Sequence, residues 1–363
     1  MQKRAWAEID TNVLAENFRA VRATTSKKIL AMVKANAYGH GAVEASRIFM
    51  REGASMLGVA CVDEVAQLRK NGIDASILIV GSVPHTELAD AIRLHAVLSV
   101  SSLEEATAIS REAEKQKKLA SVHIKVDTGM TRLGFSAWET EKAKKVFALP
   151  GIRVEGVFSH LACADDPEEN ITKSQYAAYK QFVQAIQGEG LLQHICSSTG
   201  IFRFPAMHCG MVRPGICLYG ENPMPEGMGG PNLREAMTVR ATVARVASVP
   251  AGTCVGYGAT YTAEKPMQVA TVMIGYGDGI FRALSNRGSV ILRGKRVPII
   301  GRICMDQLMV DATGTGAKAG DVATIRGREG DLCITTKETA ELLDTISYEL
   351  FCAIGERIPR IYV

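Results

Sequence analysis

The sequence predicts an α/β protein, an N-terminal (β/α)8 TIM-type barrel followed by a smaller, predominantly β domain. Three observations carry this expectation. From about residue 11 to 235, short apolar runs alternate with amphipathic stretches of helical period, the rhythm of a parallel sheet with helices outside it. The first run is not followed by Gly-x-Gly-x-x-Gly, which argues against a dinucleotide-binding open sheet. Beyond about residue 236 the helical period fades into short Val-, Ile- and Thr-rich runs separated by glycine turns. The barrel is therefore expected over residues 11–235 and the β domain over 236–363, the latter joined by an N-terminal strand within residues 1–10.

Along the chain, strands are expected at Ile29–Val33, Met56–Ala60, Ser76–Val80, Ala96–Val100, Val122–Val126, Val154–Ser159 and His194–Cys196. Helices such as Ala42–Glu52, Val62–Lys70 and Leu103–Lys115 lie between them. The Pro- and Gly-rich segment Asn222–Pro231 reads as a linker or exposed loop. In the second domain, Met237–Val249, Gln268–Ile274, Ser289–Leu292 and Val322–Ile325 read as strands, and Thr336–Leu343 as a helix.

Composition narrows the function classes. At 363 residues and 47% hydrophobic, the chain can bury a large core in two domains. Its net charge of +4, from 42 basic and 38 acidic residues, is spread along the sequence, which speaks against nucleic acid as a partner. The small cluster Lys115, Lys117 and Lys118 reads as a solvated helix face. Nine cysteines, odd in number and without a Cys-x-x-Cys pair, point away from metal and disulfide frameworks and fit buried thiols in a reducing compartment. No apolar run reaches the ~18 residues of a spanning helix, and the N-terminus has no apolar signal region, so no membrane association and a cytoplasmic location are expected.

Lys34 is the first residue with chemical promise. It follows an apolar strand and precedes Gly39 and Gly41, so two readings are open: a desolvated amine suited to attack a carbonyl, or a strand-end lysine that reaches into solvent. In a barrel, the strand ends Lys34, Lys125 with Arg132, and His160 would share one mouth. Hydroxyls and glycine amides in Cys196-Ser-Ser198-Thr-Gly200 and Arg213-Pro-Gly215-Ile216 are of the kind that bind phosphate, although Arg213-Pro-Gly also suits a structural turn. Tyr257 and Tyr276, each between glycines, have the plain reading of exposed hairpin aromatics.

Together these motifs resemble the alanine racemase family. The resemblance runs in order from Ala7-Glu-Ile-Asp10 through Val33-Lys34-Ala-Asn-Ala-Tyr38-Gly-His-Gly41, Asp127-Thr-Gly-Met-Thr-Arg132, Arg213-Pro-Gly-Ile-Cys-Leu-Tyr-Gly220, Gly256-Tyr257-Gly and Cys304-Met305-Asp306 to Arg357-Ile-Pro-Arg360. It implies pyridoxal 5'-phosphate as cofactor, carried on Lys34, and a racemase of alanine that supplies D-alanine for peptidoglycan. It also implies a homodimer with shared active sites, Lys34 being the base on one face of the substrate and the other subunit's Tyr257 the base on the opposite face. Because a phenol with a pKa near ~10 is a poor base, the family supports it through a line that here would be Tyr257, His160 and Arg213. Tyr38, Ser198, Gly215, Ile216 and Tyr348 would hold the phosphate. Arg132, Met305 and Asp306 would meet the substrate, and Lys125 matches a position where many members carry a carbamylated lysine. Asp165, His194, Arg282 and Arg302 align with the substrate entrance corridor.

The chain departs from the family pattern at Ser197, Ser347 and Gly355-Glu356, none of which removes a catalytic group. The related serine/alanine racemases carry a membrane domain that has no counterpart here, and Tyr348 leaves less room for a hydroxyl. A non-catalytic pyridoxal-phosphate carrier would resemble only the N-terminal half. Barrel decarboxylases would show a glycine-rich phosphate loop and a cysteine motif that this sequence lacks.

Overall fold

The computed structural model describes residues 3–225 and 227–363, so Met1 and Gln2 of the N-terminal strand region and Glu226 of the Pro/Gly loop lie outside the described residues. The chain forms two compact units: Leu14–Ala37 with Ala42–Leu233, and Met1–Val13 with Tyr38–Gly41 and Arg234–Val363. It opens with β1 (Ala5–Ile9) and α1 (Thr11–Ala23). The helix starts where it does because Asp10 Oδ1 accepts from the first-turn amides of Asn12 and Val13, each at 3.0 Å.

The larger unit is a closed barrel of eight parallel strands: β2 (Lys28–Met32), β3 (Met56–Val59), β4 (Ile77–Ile79), β5 (Val97–Val100), β6 (Ala120–Asp127), β7 (Ile152–Phe158), β8 (Leu192–His194) and β9 (Met211–Val212). Closure is made by β9 pairing back onto β2, Met211 opposite Lys28. The barrel expected from the alternating pattern is therefore present. Seven of its strands stood out as apolar runs. The eighth, β9, is two residues long and stops at Arg213-Pro214, where proline has no N–H to continue a ladder, so no period was there to read. The run expected at His194–Cys196 lies earlier, at Leu192–His194. The Ile195 and Cys196 carbonyls accept instead from the side chain and backbone of Arg213, which takes them out of the strand ladder.

Around the barrel run α2 (Ala42–Arg51), α3 (Val62–Lys70), α4 (Leu88–Arg93), α5 (Leu103–Gln116), α6 (Thr140–Val146), α7 (Asn170–Ala185) and α8 (Ser198–Arg203). Helix α5 shows the local logic. Ser102 caps it by accepting from Glu105 N, Lys117 ends it in a left-handed conformation, and Ala106, Ile109, Ser110 and Ala113 form its buried stripe. Leu30, Leu57, Leu78 and Leu98 are buried strand residues, each contributing roughly 1.5–3 kcal/mol over exposure. One close approach shapes the functional end. The register of β6 against β7 shifts between Val122 and His123, and Gly156 stands opposite His123, where a Cβ would come within 2.6 Å of the imidazole.

The smaller unit is built on the long strand β10 (Met237–Val249), which pairs antiparallel with β1, with β11 (Met267–Val272) and with β15. Further strands include β12 (Ser289–Leu292), β13 (Lys295–Pro298), β14 (Leu308–Asp311), β15 (Val322–Glu329), β16 (Leu332–Ile334) and β17 (Arg360–Tyr362), the last parallel to β1. Helix α9 (Thr336–Leu343) has the bounds expected from the sequence. A further helix, α10 (Ser347–Ala353), was not expected, being too short to show a period. It is held by Arg326, which donates to the Leu350 carbonyl at 3.1 Å and lies over the Phe351 ring.

Gly156→Ala should lower stability by about 1–3 kcal/mol, because the new methyl meets a buried, hydrogen-bonded ring. Urea unfolding of the single variant and of its combination with His123→Ala checks this. Recovery in the double variant is expected, and equal losses in both would contradict it.

Candidate active site

The C-terminal ends of the barrel strands bring Lys125, Asp127, Arg132, Ser159 and His160 around one small cavity. Arg213, immediately after β9, organises it. The guanidinium is 4% exposed and donates to Ser159 O (2.7 Å), Ile195 O (3.1 Å), His194 Nδ1 (3.0 Å) and His160 Nδ1 (3.2 Å), while lying over the Phe158 ring. Burial lowers its pKa to about 10, so it remains a cation at neutral pH.

A guanidinium can only donate, and this assigns the histidine tautomers. His160 and His194 both accept at Nδ1, so each neutral ring carries its proton on Nε2. His194 Nε2 passes its hydrogen bond to His123 Nδ1 at 2.8 Å. Burial, and then the charges of Arg213, Arg132, Lys125 and Lys34, push the His160 pKa down to about 3. Burial and Arg213 lower His123 to about 4, and burial, Arg213 and His123 hold His194 well below its ordinary value. The chain Arg213–His194–His123 is therefore neutral beyond the guanidinium itself.

Lys125 and His123 alternate on β6 and so share its inward face. The Lys125 amine is 3.4 Å from Val80 O and over the Phe158 ring. Burial, and then the charges of Arg132, Arg213 and Lys34, lower its pKa to about 8, so it is mainly a cation at neutral pH but yields its proton far more readily than an ordinary lysine. The one carboxylate among these groups is Asp127. Its oxygens accept from the amides of Gly129, Met130, Thr131 and Arg132 at 2.9–3.1 Å, which folds the loop that carries Arg132. Burial works against its charge, but those four donors prevail and hold its pKa below the ordinary value.

Lys34 follows β2 and is half-buried. The four residues after it, Ala35, Asn36, Ala37 and Tyr38, are all left-handed, with φ of 52°, 53°, 54° and 51°. At about 1–2 kcal/mol for each such residue, the turn costs roughly 4–8 kcal/mol and must be held from outside. Ala37 N donates to Val33 O, Asn36 Oδ1 accepts from Ala42 N at 2.8 Å, and Glu64 Oε1 accepts from Ala35 N at 2.5 Å.

Ser198 opens α8, and Ile216 opens a short 3-10 turn, Ile216–Tyr219. Ser198 Oγ accepts from Gly215 N (2.9 Å) and Cys217 N (3.5 Å), which sets the two first turns side by side. First-turn amides have no partner within their own helix and suit a phosphate.

Most of the other candidate residues lie in the smaller unit. Tyr38 and Tyr348 are neighbours, their ring centroids 6.1 Å apart. Tyr257 is 70% exposed on a tight turn between Gly256 and Gly258, both at φ 73°. Met305 is 52% exposed, and its carbonyl accepts from Gly277 N. Asp306 accepts from Arg357, whose Nε also pairs with the fully buried Asp278. Arg282 and Arg302 are exposed, as is Asp165 in the larger unit. His194 differs from an entrance-corridor placement: it is wholly buried behind Arg213, because β8 ends with its ring stacked on Phe158. The sequence reading also passed over His123 and Glu64. For His123 the signal was its place two residues before Lys125 on the same strand face.

The family profiles for the alanine racemase N-terminal and C-terminal domains match residues 9–223 and 236–362. An alanine racemase of Methanococcus maripaludis is 41% identical, the alignment covering 99% of this chain and 98% of that protein. The alanine racemase of Clostridium difficile 630 superposes with a TM-score of 0.96 at 34% identity, over 100% of this chain and 96% of that one. The structure of alanine racemase from Bartonella henselae with covalently bound pyridoxal phosphate gives 0.89 at 29% identity over the full length of both chains.

Asp127→Ala should cost about 2–3 kcal/mol in urea unfolding at neutral pH, since four loop amides lose a charged acceptor. A carboxylate whose pKa is depressed on folding stabilises above its ordinary pKa and loses that contribution as pH falls through the folded value. The difference between variant and parent should accordingly shrink on acidification. A gap that stays constant into the acid range would contradict the assignment.

Proposed function

The chain belongs to the alanine racemase family, and from that premise we propose how its residues interconvert L- and D-alanine by two-base proton transfer at Cα. The observation that carries the reading is the convergence of Lys34, Lys125, Arg132, His160 and Arg213, four cations and a neutral imidazole, on a barrel mouth with Asp127 as the carboxylate among them. Pyridoxal 5'-phosphate, when bound, supplies an aldehyde for the substrate amine and a ring that acidifies the Cα–H bond.

The Ser198 hydroxyl and the Gly215 and Ile216 amides would hold the phosphate, Gly215 N turning to it from Ser198 Oγ, and the family resemblance adds the Tyr38 and Tyr348 phenols. The Lys34 amine would hold the cofactor through its carbonyl carbon and, once the substrate amine has replaced it there, the freed amine would exchange a proton with one face of Cα. Arg213 would face the ring nitrogen, and because a guanidinium does not readily yield its proton, negative charge would stay near Cα and favour return of the proton there. His194 and His123 orient the guanidinium from behind. His160, neutral and protonated on Nε2, donates to the phenol oxygen of the partner subunit's Tyr257, which serves the opposite face of Cα. The exposure of Tyr257 and Met305 supports a homodimer in which the Tyr257 phenol and the Met305 amide complete the neighbouring site.

Arg132 takes the substrate carboxylate, assisted by the amide of the partner subunit's Met305 with Asp306 beside it. Lys125, easily neutralised, is suited to carbamylation, which would turn a fourth cation into an anion able to hold Arg132. Asp165, Arg282 and Arg302 are assigned to the entrance. The product serves peptidoglycan synthesis in the cytoplasm. Serine is expected as a weak second substrate, since one hydroxyl in such a pocket changes binding by only about 1–3 kcal/mol.

Purified protein incubated with L-alanine and the cofactor should produce D-alanine by chiral chromatography, and no turnover in a cofactor-loaded sample would remove the reading. Lys34→Ala and Tyr257→Phe chains should each be inactive, yet mixed dimers should recover activity through one complete site. Absence of recovery after confirmed subunit exchange would rule out shared sites. On Lys125, mass spectrometry of native protein in bicarbonate should show the added mass of one carbon dioxide, absent from Lys125→Met.

A further inference from the structure

We infer that Glu64 is a positioning residue for Lys34, its carboxylate clamping the left-handed turn through which the lysine is presented to the barrel mouth. The inference rests on Lys34 being the residue that takes the cofactor.

Glu64 lies in the first turn of α3, whose N-cap residue, Cys61, makes no side-chain capping bond. From that position a glutamate ordinarily reaches back to the N-cap amide of its own helix. Here the two oxygens do something else. Oε2 accepts from Ala60 N at 2.7 Å, just beyond β3, and Oε1 accepts from Ala35 N at 2.5 Å, just beyond β2. One carboxylate thus ties the ends of two adjacent barrel strands together, and the residue it holds on the β2 side is the one directly after Lys34.

What it holds has little preference for staying there. Ala35, Asn36, Ala37 and Tyr38 are left-handed in succession without a glycine among them, and alanine is a residue type that this conformation penalises. The bonds from Ala37 to Val33 and from Ala42 to Asn36 close the turn along its own strand. Glu64 ties it to the neighbouring strand through a carboxylate oxygen that accepts from Ala35 N at 2.5 Å. Loss of that clamp would let the Ala35 peptide relax toward right-handed or extended backbone and swing the Cα–Cβ bond of Lys34 away from the mouth. A carboxylate serving only to start α3 would affect stability and leave the lysine's chemistry unchanged.

The test uses full-length dimeric protein carrying Glu64→Ala or Glu64→Gln, with Lys34→Ala as control. After removal of the cofactor, pyridoxal 5'-phosphate is added back, and its attachment to lysine is followed by visible absorbance and by borohydride trapping with peptide mapping. In Glu64→Ala, attachment should slow and kcat fall by about tenfold to a hundredfold, the scale on which a small misplacement of a reacting group is felt, while KM for alanine changes little. Glu64→Gln, with one oxygen for two amides, should fall between. Variants that attach the cofactor and turn over at parental rates, with or without a lowered Tm, overturn the proposal. So does a failure of both variants to fold, which would make Glu64 a determinant of the fold. Trapping on another residue in the parent or in Lys34→Ala would instead overturn the assignment of Lys34, leaving the two failures distinct.

Discussion

A buried guanidinium holds the functional end of the barrel together. Arg213 joins the ends of three strands by donating to Ser159 O after β7, to His194 and Ile195 O at and after β8, and from its own place after β9. Among the described residues it takes part in no ion pair. Neutral acceptors and an aromatic face replace the carboxylate that a buried arginine ordinarily requires. Because every hydrogen it offers has a direction, the tautomers of His194, His123 and His160 follow from it.

That choice sets the electrostatics of the mouth. A carboxylate beside Arg213 would cancel its field, whereas neutral acceptors leave the charge to act on its neighbours. Burial, and then this field together with that of Arg132, keeps His160 neutral and brings Lys125 down to about 8. A site so rich in cations favours anionic groups. A neutral imidazole holds its Nε2 proton as a hydrogen-bond donor and not as a transferable acid.

The legible parts of the sequence were those with a local cause. Runs such as Ile77–Ile79 and Met56–Val59 are apolar because they are buried on both faces, and helices such as α5 carry their cap and stripe in adjacent letters. The motifs carrying Lys34, Arg132, His160 and Arg213 could be picked out because polar residues at strand ends break an apolar pattern. Strand β9 and helix α10 were missed because two and seven residues show no period, their existence depending on the ladder with β2 and on Arg326. His194 was misplaced for a related reason. An imidazole after a strand reads the same whether it faces an open path or, as here, lies stacked on Phe158 behind an arginine.

The sequence by itself determined the alternation that makes the barrel, the order of its motifs and the identity of the groups at its strand ends, since each is written in neighbouring residues. Tertiary structure alone decided the left-handed turn after Lys34, the neutral histidine chain behind Arg213 and the lowered pKa of Lys125. Conformation, protonation and charge at these points are set by groups distant in the chain: Glu64 for the turn, Gly156 for the room given to His123, and Arg132 and Arg213 for the lysine. Such effects arise only when the strands close and exclude water, and no run of adjacent letters can encode that event.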